Sequence, residues 1–458
     1  MSEALDDVIV STQLVPLSQA VEVNPKIDRT ALHDDLEVTF VPMAAVKALS
    51  GDIDVSNIRK YAEVKKGYTH FRNGDILFAK VTPCMENGKM AIARKLLNGV
   101  GFGSTEFHVL RPRAGVDARY IYYFVSSQTF RKEASGHMTG AVGLRRVPSA
   151  YLEEQLISLP SIEQQREIVA EIEKQFSRLD EAVANLQRVK ANLKRYKASV
   201  LKDAVEGRLV PTEAELARRE GRSFETGEQL LQRILEARQQ KWDGKGKYKD
   251  ATPAAETLGL IVPDGWLIAS AEQACSSVRD GTHSTPDYVA SGVPLITSKN
   301  LEEHGLDFEN VKFISEQDHI EISKRSDVLL HDILFAMIGT IGNPCEVKTE
   351  AKFSIKNVAL FKANDEYLQP TYFCYWLQSA PFKKWLGPRL KGTTQKFAPL
   401  GLLRELPMLL PPFEEQVRIV AEVDRHLSII REVEAEVDAN LKRAQSLRQA
   451  TLKQAFEV

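Results

Sequence analysis

Cysteine is scarce in this 458-residue chain: Cys84, Cys275, Cys345 and Cys374 lie far apart, with neither C-x-x-C spacing nor paired histidines. That argues against a disulfide framework or a zinc ribbon and for reduced thiols. Long apolar runs are missing too. Nowhere do about 18 apolar residues follow one another, and the acidic start MSEALDDVIVSTQ lacks the basic and apolar regions of a secretory signal. A cytoplasmic protein without membrane contact is expected. Catalytic signatures are also absent. Asn24-Pro25-Lys26 and Asn343-Pro344-Cys345 are the nearest approaches to an Asn-Pro-Pro-aromatic amine-holding motif, and both lack the second proline. No glycine-rich methyl-donor loop is present, and Gly88-Lys89 and Gly244-Lys245 lack the upstream glycine of a phosphate-binding G-x-x-x-x-G-K-[ST] loop.

What the chain has is an internal repeat. LPSIEQQREIVAEIEKQF from Leu159 recurs without a gap as LPPFEEQVRIVAEVDRHL from Leu410. Upstream, Asp75-Ile76-Leu77-Phe78-Ala79 is answered by Asp332-Ile333-Leu334-Phe335-Ala336, and YIYYFVSSQTF from Tyr120 by YFCYWLQSAPF from Tyr372. A period this long means tandem duplication of a domain plus a helix, not a solenoid. The length suffices for two such domains, each with its own core.

Each globular half reads as an α/β mixture. The ILFA runs, with β-branched and aromatic neighbours, predict buried strands; the stretch from Gly101 to Pro112 and FSIKNVALF from Phe353 predict another in each half. Tyr120 to Phe130 and Tyr372 to Phe382 look like amphipathic helices, each followed by a loop rich in Gly, Thr and basic residues.

The proline-led repeats open long helices. Ser161 followed by Gln164 is a capping-box arrangement. From there Ile172, Phe176, Leu179, Val183, Leu186, Val189, Leu193, Tyr196 and Val200 form a coiled-coil seam, with one phase irregularity near Leu186, that ends before Gly207 and Pro211. The second seam runs Val423, Leu427, Ile430, Val437 and Leu441, with Glu414 and Glu415 in the first turn where they suit the helix dipole. About 45 residues make a rod of roughly 65 to 70 Å. Since the chain contains both stripes, antiparallel pairing within one molecule is the economical arrangement, with dimerisation as its competitor. The fold expected is therefore α/β mixed, with two tandem α/β domains separated by two long antiparallel helices that form an intramolecular coiled coil. The boundaries are 1–158 for the first domain, 159–207 for the first helix, 208–262 for a connector with one short helix and a flexible, glycine-containing stretch, 263–409 for the second domain and 410–458 for the second helix. The GKGK run of the connector is a weaker candidate for phosphate contact.

Net charge is only -2, but it is divided unevenly. Met1 to Ile58 carries 3 basic and 10 acidic residues, whereas Arg59 to Arg146 carries 16 basic and 6 acidic. Tyr367 to Arg404 has six basic residues and no Asp or Glu. Basic faces at corresponding places in both halves suit the phosphate backbone of DNA, whose affinity comes largely from displaced counterions.

Together, the duplicated domains, the LPSIEQQ and LPPFEEQ helix starts, the GDILF-type strand, GSTEFHVLRP and SSVRDGTHSTPDY after a PDGW opening resemble the DNA-specificity subunits of type I restriction-modification systems across essentially the whole chain. Two departures are Gln164-Gln165 where the family usually has Glu-Gln, and a first domain that opens on LVPLSQAVEVNP instead of a PDGW-like segment. The resemblance implies two target recognition domains, each reading half of a split sequence in double-stranded DNA. The helix pair would fix the spacer and dock two modification subunits, which carry S-adenosylmethionine and methylate adenine N6. Two restriction subunits using ATP and Mg would complete the complex, and this chain would be non-catalytic with no cofactor or metal of its own. The loops nominate DNA-contacting residues: Lys80, Thr82, Lys89, Thr105, Thr139, Arg145 and Arg146 in the first domain, and Thr282, His283, Ser298, Lys299, Asn300, Thr340, Lys356, Asn357, Lys391, Thr393, Gln395 and Lys396 in the second. Asn300 and Gln395 could pair with adenine and the arginines with guanine, while His283 could equally be a turn residue packed on Tyr288. Two alternatives stand beside this reading. Asp332 followed by Glu346-Val347-Lys348 superficially resembles a metal-dependent nuclease. A DNA-bound scaffold or regulator without a methyltransferase partner is the other.

Overall fold

The computed structural model describes residues 13–456 except 27–31, 142, 243, 245, 246, 255–258, 303, 304, 364 and 365. The acidic start and the Lys245-Gly246 pair of the connector thus lie outside the described residues. The chain divides into two compact units, Met1–Arg188 with Val437–Val458, and Val189–Glu436. Each unit takes one globular domain and one stretch of each long helix, so the division cuts the helices at mid-length instead of falling at their ends.

The first unit carries an antiparallel sheet in the order Val21–Val23, Phe107–Pro112, Ile76–Ala79, Met90–Ile92. A second sheet runs Ile58–Lys60, Glu37–Val41, Val100–Gly103, Thr69–Arg72, its central pair parallel. Strand Ile76–Ala79 is buried on both faces, which explains its unbroken apolar run. Ile76 and Phe78 pack with Tyr120, Ile121 and Phe124, whereas Leu77 and Ala79 face Val41, Phe71 and Phe107. The second unit repeats the plan: Ser277–Asp280, Val358–Lys362, Ile333–Ala336, Gly342–Glu346 in one sheet, and Tyr288–Val289, Lys312–Ile314, Val293–Ile296, Ser354–Ile355 in the other. Again alternate residues of the ILFA strand serve two cores, Ile333 and Phe335 on one side and Leu334 and Ala336 on the other.

The aspartate that precedes each ILFA strand holds its sheet together. Asp75 accepts both Arg111 Nε and a terminal guanidinium nitrogen at 2.8 Å and the Arg72 amide at 2.9 Å. Asp332 likewise accepts Lys362 Nζ at 2.9 Å and the Leu329 amide at 2.8 Å. Burial pushes the Asp332 carboxyl above the ordinary carboxylate range, and the Lys362 bond opposes that shift.

The helices expected from Tyr120 and Tyr372 are each broken in two. Ala118–Ser126 gives way to Gln128–Gly136, and Pro370–Gln378 to Ala380–Leu386. At each break a serine caps the second helix: Ser127 accepts the Phe130 amide at 3.2 Å and Ser379 the Phe382 amide at 3.4 Å. Two further tethers are duplicated. Tyr120 donates to the Ser158 carbonyl and Tyr372 to the Leu409 carbonyl, both at 2.8 Å. Gln165 accepts the Asp117 amide and donates to the Pro160 and Gly115 carbonyls; Gln416 does the same with Gln369, Pro411 and Tyr367. Buried Gln165 and Gln416 thereby tie the start of each long helix to the start of the shorter one before it.

The long helices are Ile162–Val205 and Phe413–Phe456. In the first unit Ile168, Ile172 and Phe176 share a core with Leu452 and Ala455, Arg448 stacks on Phe176 at 4.2 Å, and Arg448 bonds Asp180 at 2.6 Å. In the second unit Val200, Leu201 and Ala204 share a core with Ile419 and Val423, and Tyr196 Oη lies 2.8 Å from His426 Nδ1. Early residues of the first helix thus meet late residues of the second, and late meet early, so the pair is antiparallel and intramolecular. Ile172, Phe176, Val423, Ile430 and Val437 are buried, and Leu179, Val183, Leu186, Leu193, Leu427 and Leu441 half-buried. Val189 and Tyr196, also expected in the seam, are 40% and 46% exposed and leave it.

The capping box forms as expected, Gln164 N donating to Ser161 Oγ at 3.3 Å and Ser161 N to Gln164 Oε1 at 3.1 Å. The second helix differs because Pro412 replaces the serine. Glu415, aligned with Gln164, lies in the first turn as expected but is fully buried and accepts the Glu213 amide at 2.8 Å. The connector carries two helices where one short helix was expected, and its glycine-containing stretch lies partly outside the described residues. Helices Glu213–Glu220 and Gly227–Gln240 both carry capping boxes, and Leu230 and Ile234 enter the core beside Trp266.

Candidate nucleic-acid interface

In both units the nominated residues lie mostly on loops at the C-terminal end of the ILFA strand. In the first, Val81 bridges to Arg146, Thr82 N and Oγ1 donate to the Arg145 carbonyl at 3.0 and 3.3 Å, and Lys80 N donates to the Glu106 carbonyl at 2.9 Å. The loop carrying Thr139, Arg145 and Arg146 is a hairpin, Thr139–Ala141 against Leu144–Arg146. Lys80, Thr82, Thr105 beside Glu106, Thr139, Arg145 and Arg146 therefore converge. Lys89 lies near the same strand end, but its ammonium turns inward to the Met43 carbonyl at 3.2 Å.

The two arginines are not free cations. Arg146 donates twice to Glu106, at 2.8 and 2.7 Å, and Arg145 lies 3.7 Å from Glu86. The Arg146 bond holds the Glu106 carboxyl below its usual range despite partial burial. Exposed pairs of this kind contribute little, so a DNA phosphate can compete for the guanidinium at small cost. Behind them His108 is buried, its Nε2 2.8 Å from the Val147 carbonyl, and burial lowers its pKa and favours the neutral ring.

In the second unit, seven of the nominated residues, Ser298, Lys299, Asn300, Thr340, Lys356, Asn357 and Gln395, line one cleft of about 630 Å³. Gly281 lets two chain segments meet beside it: a Cβ there would lie 2.2 Å from the Ile355 carbonyl oxygen, where Thr282 bridges to Lys356. His283 is not packed on Tyr288 as a mere turn residue. Its ring nitrogens lie 2.9 Å from Asp280 and 3.2 Å from Asn357, and buried Asp280 also binds Arg325. Lys391, Thr393 and Lys396 stand on an exposed loop closed by the Lys391–Phe397 bridge. Asn300 corrects the expectation. It is 4% exposed, accepts from Thr297 N and Oγ1, and donates to the Asp307 and Asn310 carbonyls, so its amide shapes the cleft instead of reaching a base. Tyr288, Asn310 and Lys312 also line the cleft and were missed. They arrive from the second sheet, and no spacing in the sequence couples that sheet to the nominated loops.

The nuclease pattern does not assemble. Asp332 is spent on Lys362 and corresponds to Asp75 in the first unit; Glu346 faces His331 at 2.9 Å and Thr371 at 2.7 Å. Among the described residues no three His, Cys, Asp or Glu side chains converge as metal ligands, and no helix is long and apolar enough to cross a membrane.

Comparison with known proteins accounts for this twofold construction. A model of the type I restriction modification DNA specificity domain matches residues 13–195. Residues 13–195 thus carry this specificity domain, and the chain as a whole is similar to type I restriction-modification specificity subunits. It is 27% identical to the EcoAI specificity subunit of Escherichia coli over 468 aligned residues, covering 89% of this chain and 76% of that protein. With the EcoEI specificity subunit of Escherichia coli it shares 40% identity over 161 residues, 35% of this chain and 27% of the relative. The fold matches a chain of a solved type I R-M system at a TM-score of 0.66 and 18% identity, covering 97% of both. It also matches the HsdS subunit of Thermoanaerobacter tengcongensis at a TM-score of 0.56 and 17% identity, covering 97% and 96%. In each unit the loop cluster just described presents polar and cationic side chains.

Proposed function

We propose that this chain reads a bipartite sequence in double-stranded DNA, one half through each globular domain, and does no chemistry itself. The observation that carries the reading is that one device is built twice: an ILFA strand locked by an aspartate, a polar and cationic loop cluster beyond it, and a tyrosine and a glutamine that tie the domain to a long helix. A helix of 44 residues spans roughly 66 Å, long enough to reach between half-sites about one DNA turn, roughly 34 Å, apart. The helix pair then sets the unread spacer and docks two modification subunits. These bring S-adenosylmethionine to the target adenines, and extrusion of each adenine from the duplex belongs to them. Two restriction subunits working with ATP and Mg complete the assembly in the cytoplasm.

The test is co-expression with the modification subunit of the same system, copurification, and mapping of N6-methyladenine in the host genome. A two-part motif with an unread gap, lost when this chain is omitted, is expected. A soluble copurifying complex that leaves DNA unmethylated would sink the reading in favour of a regulator.

A further inference from the structure

The cleft of the second unit has a chemistry that bears on which base it reads. Among the described residues every charged side chain lining it is a lysine, Lys299, Lys312 or Lys356, and no carboxylate faces it. Its asparagine amides are engaged within the chain: Asn300 as described, Asn310 with Asp307 at 3.2 Å, and Asn357 with His283. Lys356 is held by Thr285. Lys312 differs from the lysines of the exposed loops because its ammonium sits over the Tyr288 ring, 4.2 Å from the centroid, which fixes a flexible cation at the cleft.

The base edges of the major groove differ in what they require. Cytosine offers an amino donor that calls for a carboxylate, adenine a donor and an acceptor that suit an open Asn or Gln amide, and guanine two acceptors, O6 and N7, that suit a cation. Cations beside engaged asparagines, with no carboxylate among the described residues that line the cleft, match the guanine edge, whereas the Gln395 amide, which lines the same cleft from the exposed loop, suits adenine, so a half-site that reads adenine there would overturn the assignment. We propose that this cleft is the base-reading pocket of the second recognition domain, that it selects guanine, and that Lys312, positioned by Tyr288, is the specificity-determining group. The inference rests on the bipartite reading above. Lys391 and Lys396, on their exposed loop, are left for the phosphate backbone, where position matters less than charge.

Methylation maps of the complete complex test this, comparing wild type with Lys312→Met, Lys312→Arg and Tyr288→Phe. Wild type should require guanine at a position of one half-site. Lys312→Met should reduce a discrimination of roughly tenfold or more toward unity at that guanine, leaving the other half-site unchanged. Lys312→Arg and Tyr288→Phe, which keep the cation and the ring face, should retain it, and Lys312→Arg against wild type decides the matter if Lys312→Met gives no soluble complex: an arginine variant that loses the guanine preference overturns the assignment. So does a half-site without guanine, an unaltered motif in Lys312→Met, or a fall in methylation spread evenly over all sequences, which would mark Lys312 as a phosphate contact. If wild type gives no two-part motif, it is the bipartite reading that fails.

Discussion

Glu415 should make the second unit less stable as pH rises, and a single substitution should abolish that dependence. Its carboxyl is fully buried, with one oxygen accepting the Glu213 amide at the start of a connector helix and the Trp266 indole beside it. Burial pushes its pKa up to about 7, although the Glu213 amide and Arg418 pull the other way. Glu213 behaves oppositely: burial raises it, but Arg222 and Arg418 outweigh that and hold it low, so Glu415 is the member of the cluster that takes up the proton. Because the folded chain binds that proton more tightly than an unfolded glutamate of pKa about 4.3, the stabilisation is fully present below pH about 4.3 and is lost as pH rises through about 7. At 1.36 kcal/mol per pKa unit the full loss is about 4 kcal/mol. Glu415→Gln keeps the acceptor for the Glu213 amide and removes the titration. Denaturant unfolding of wild type and variant should therefore coincide near pH 4 and diverge by up to about 4 kcal/mol in favour of the variant at pH 8. A difference that stays constant across that range would refute the reasoning.

Asp75→Ala should cost about 3–5 kcal/mol, because it strands the Arg111 guanidinium inside the first sheet; recovery of much of the loss in an Asp75→Ala, Arg111→Met double variant, followed by thermal unfolding, would confirm the cause. Gln165→Leu and Gln416→Leu should each cost about 1–3 kcal/mol by orphaning a buried amide, and a variant whose melting point stays within a degree of wild type would argue against the tether. Lys396→Ala should weaken DNA binding evenly across sequences and lower the salt slope by about one, read by titration between 50 and 200 mM salt.

Much of the architecture was legible because duplication writes it twice. The ILFA strands, the seam from Ile172 to Leu193 and the Ser161 capping box follow from periodicity and local chemistry. The tethers did not, since Gln165 and Gln416 look like surface residues of a charged helix start until neighbouring carbonyls surround them. Glu415 misled for a related reason: a carboxylate in a first turn ordinarily faces water, but here the connector helix folds over it. At the candidate site, composition identified the loops correctly as polar and cationic. It could not tell that Asn300 is buried, that Arg145 and Arg146 face Glu86 and Glu106, or that Lys312 rests on Tyr288, because each depends on contacts between residues distant in the chain.

The most direct test of the central claim is a domain exchange. Residues 263–409 would be replaced by the corresponding domain of a relative, and the N6-methyladenine motif of the complex mapped beside that of wild type. The account predicts that one half of the motif changes while the other half and the length of the gap stay the same. Changes in both halves, or an unchanged motif from a methylating complex, would contradict it.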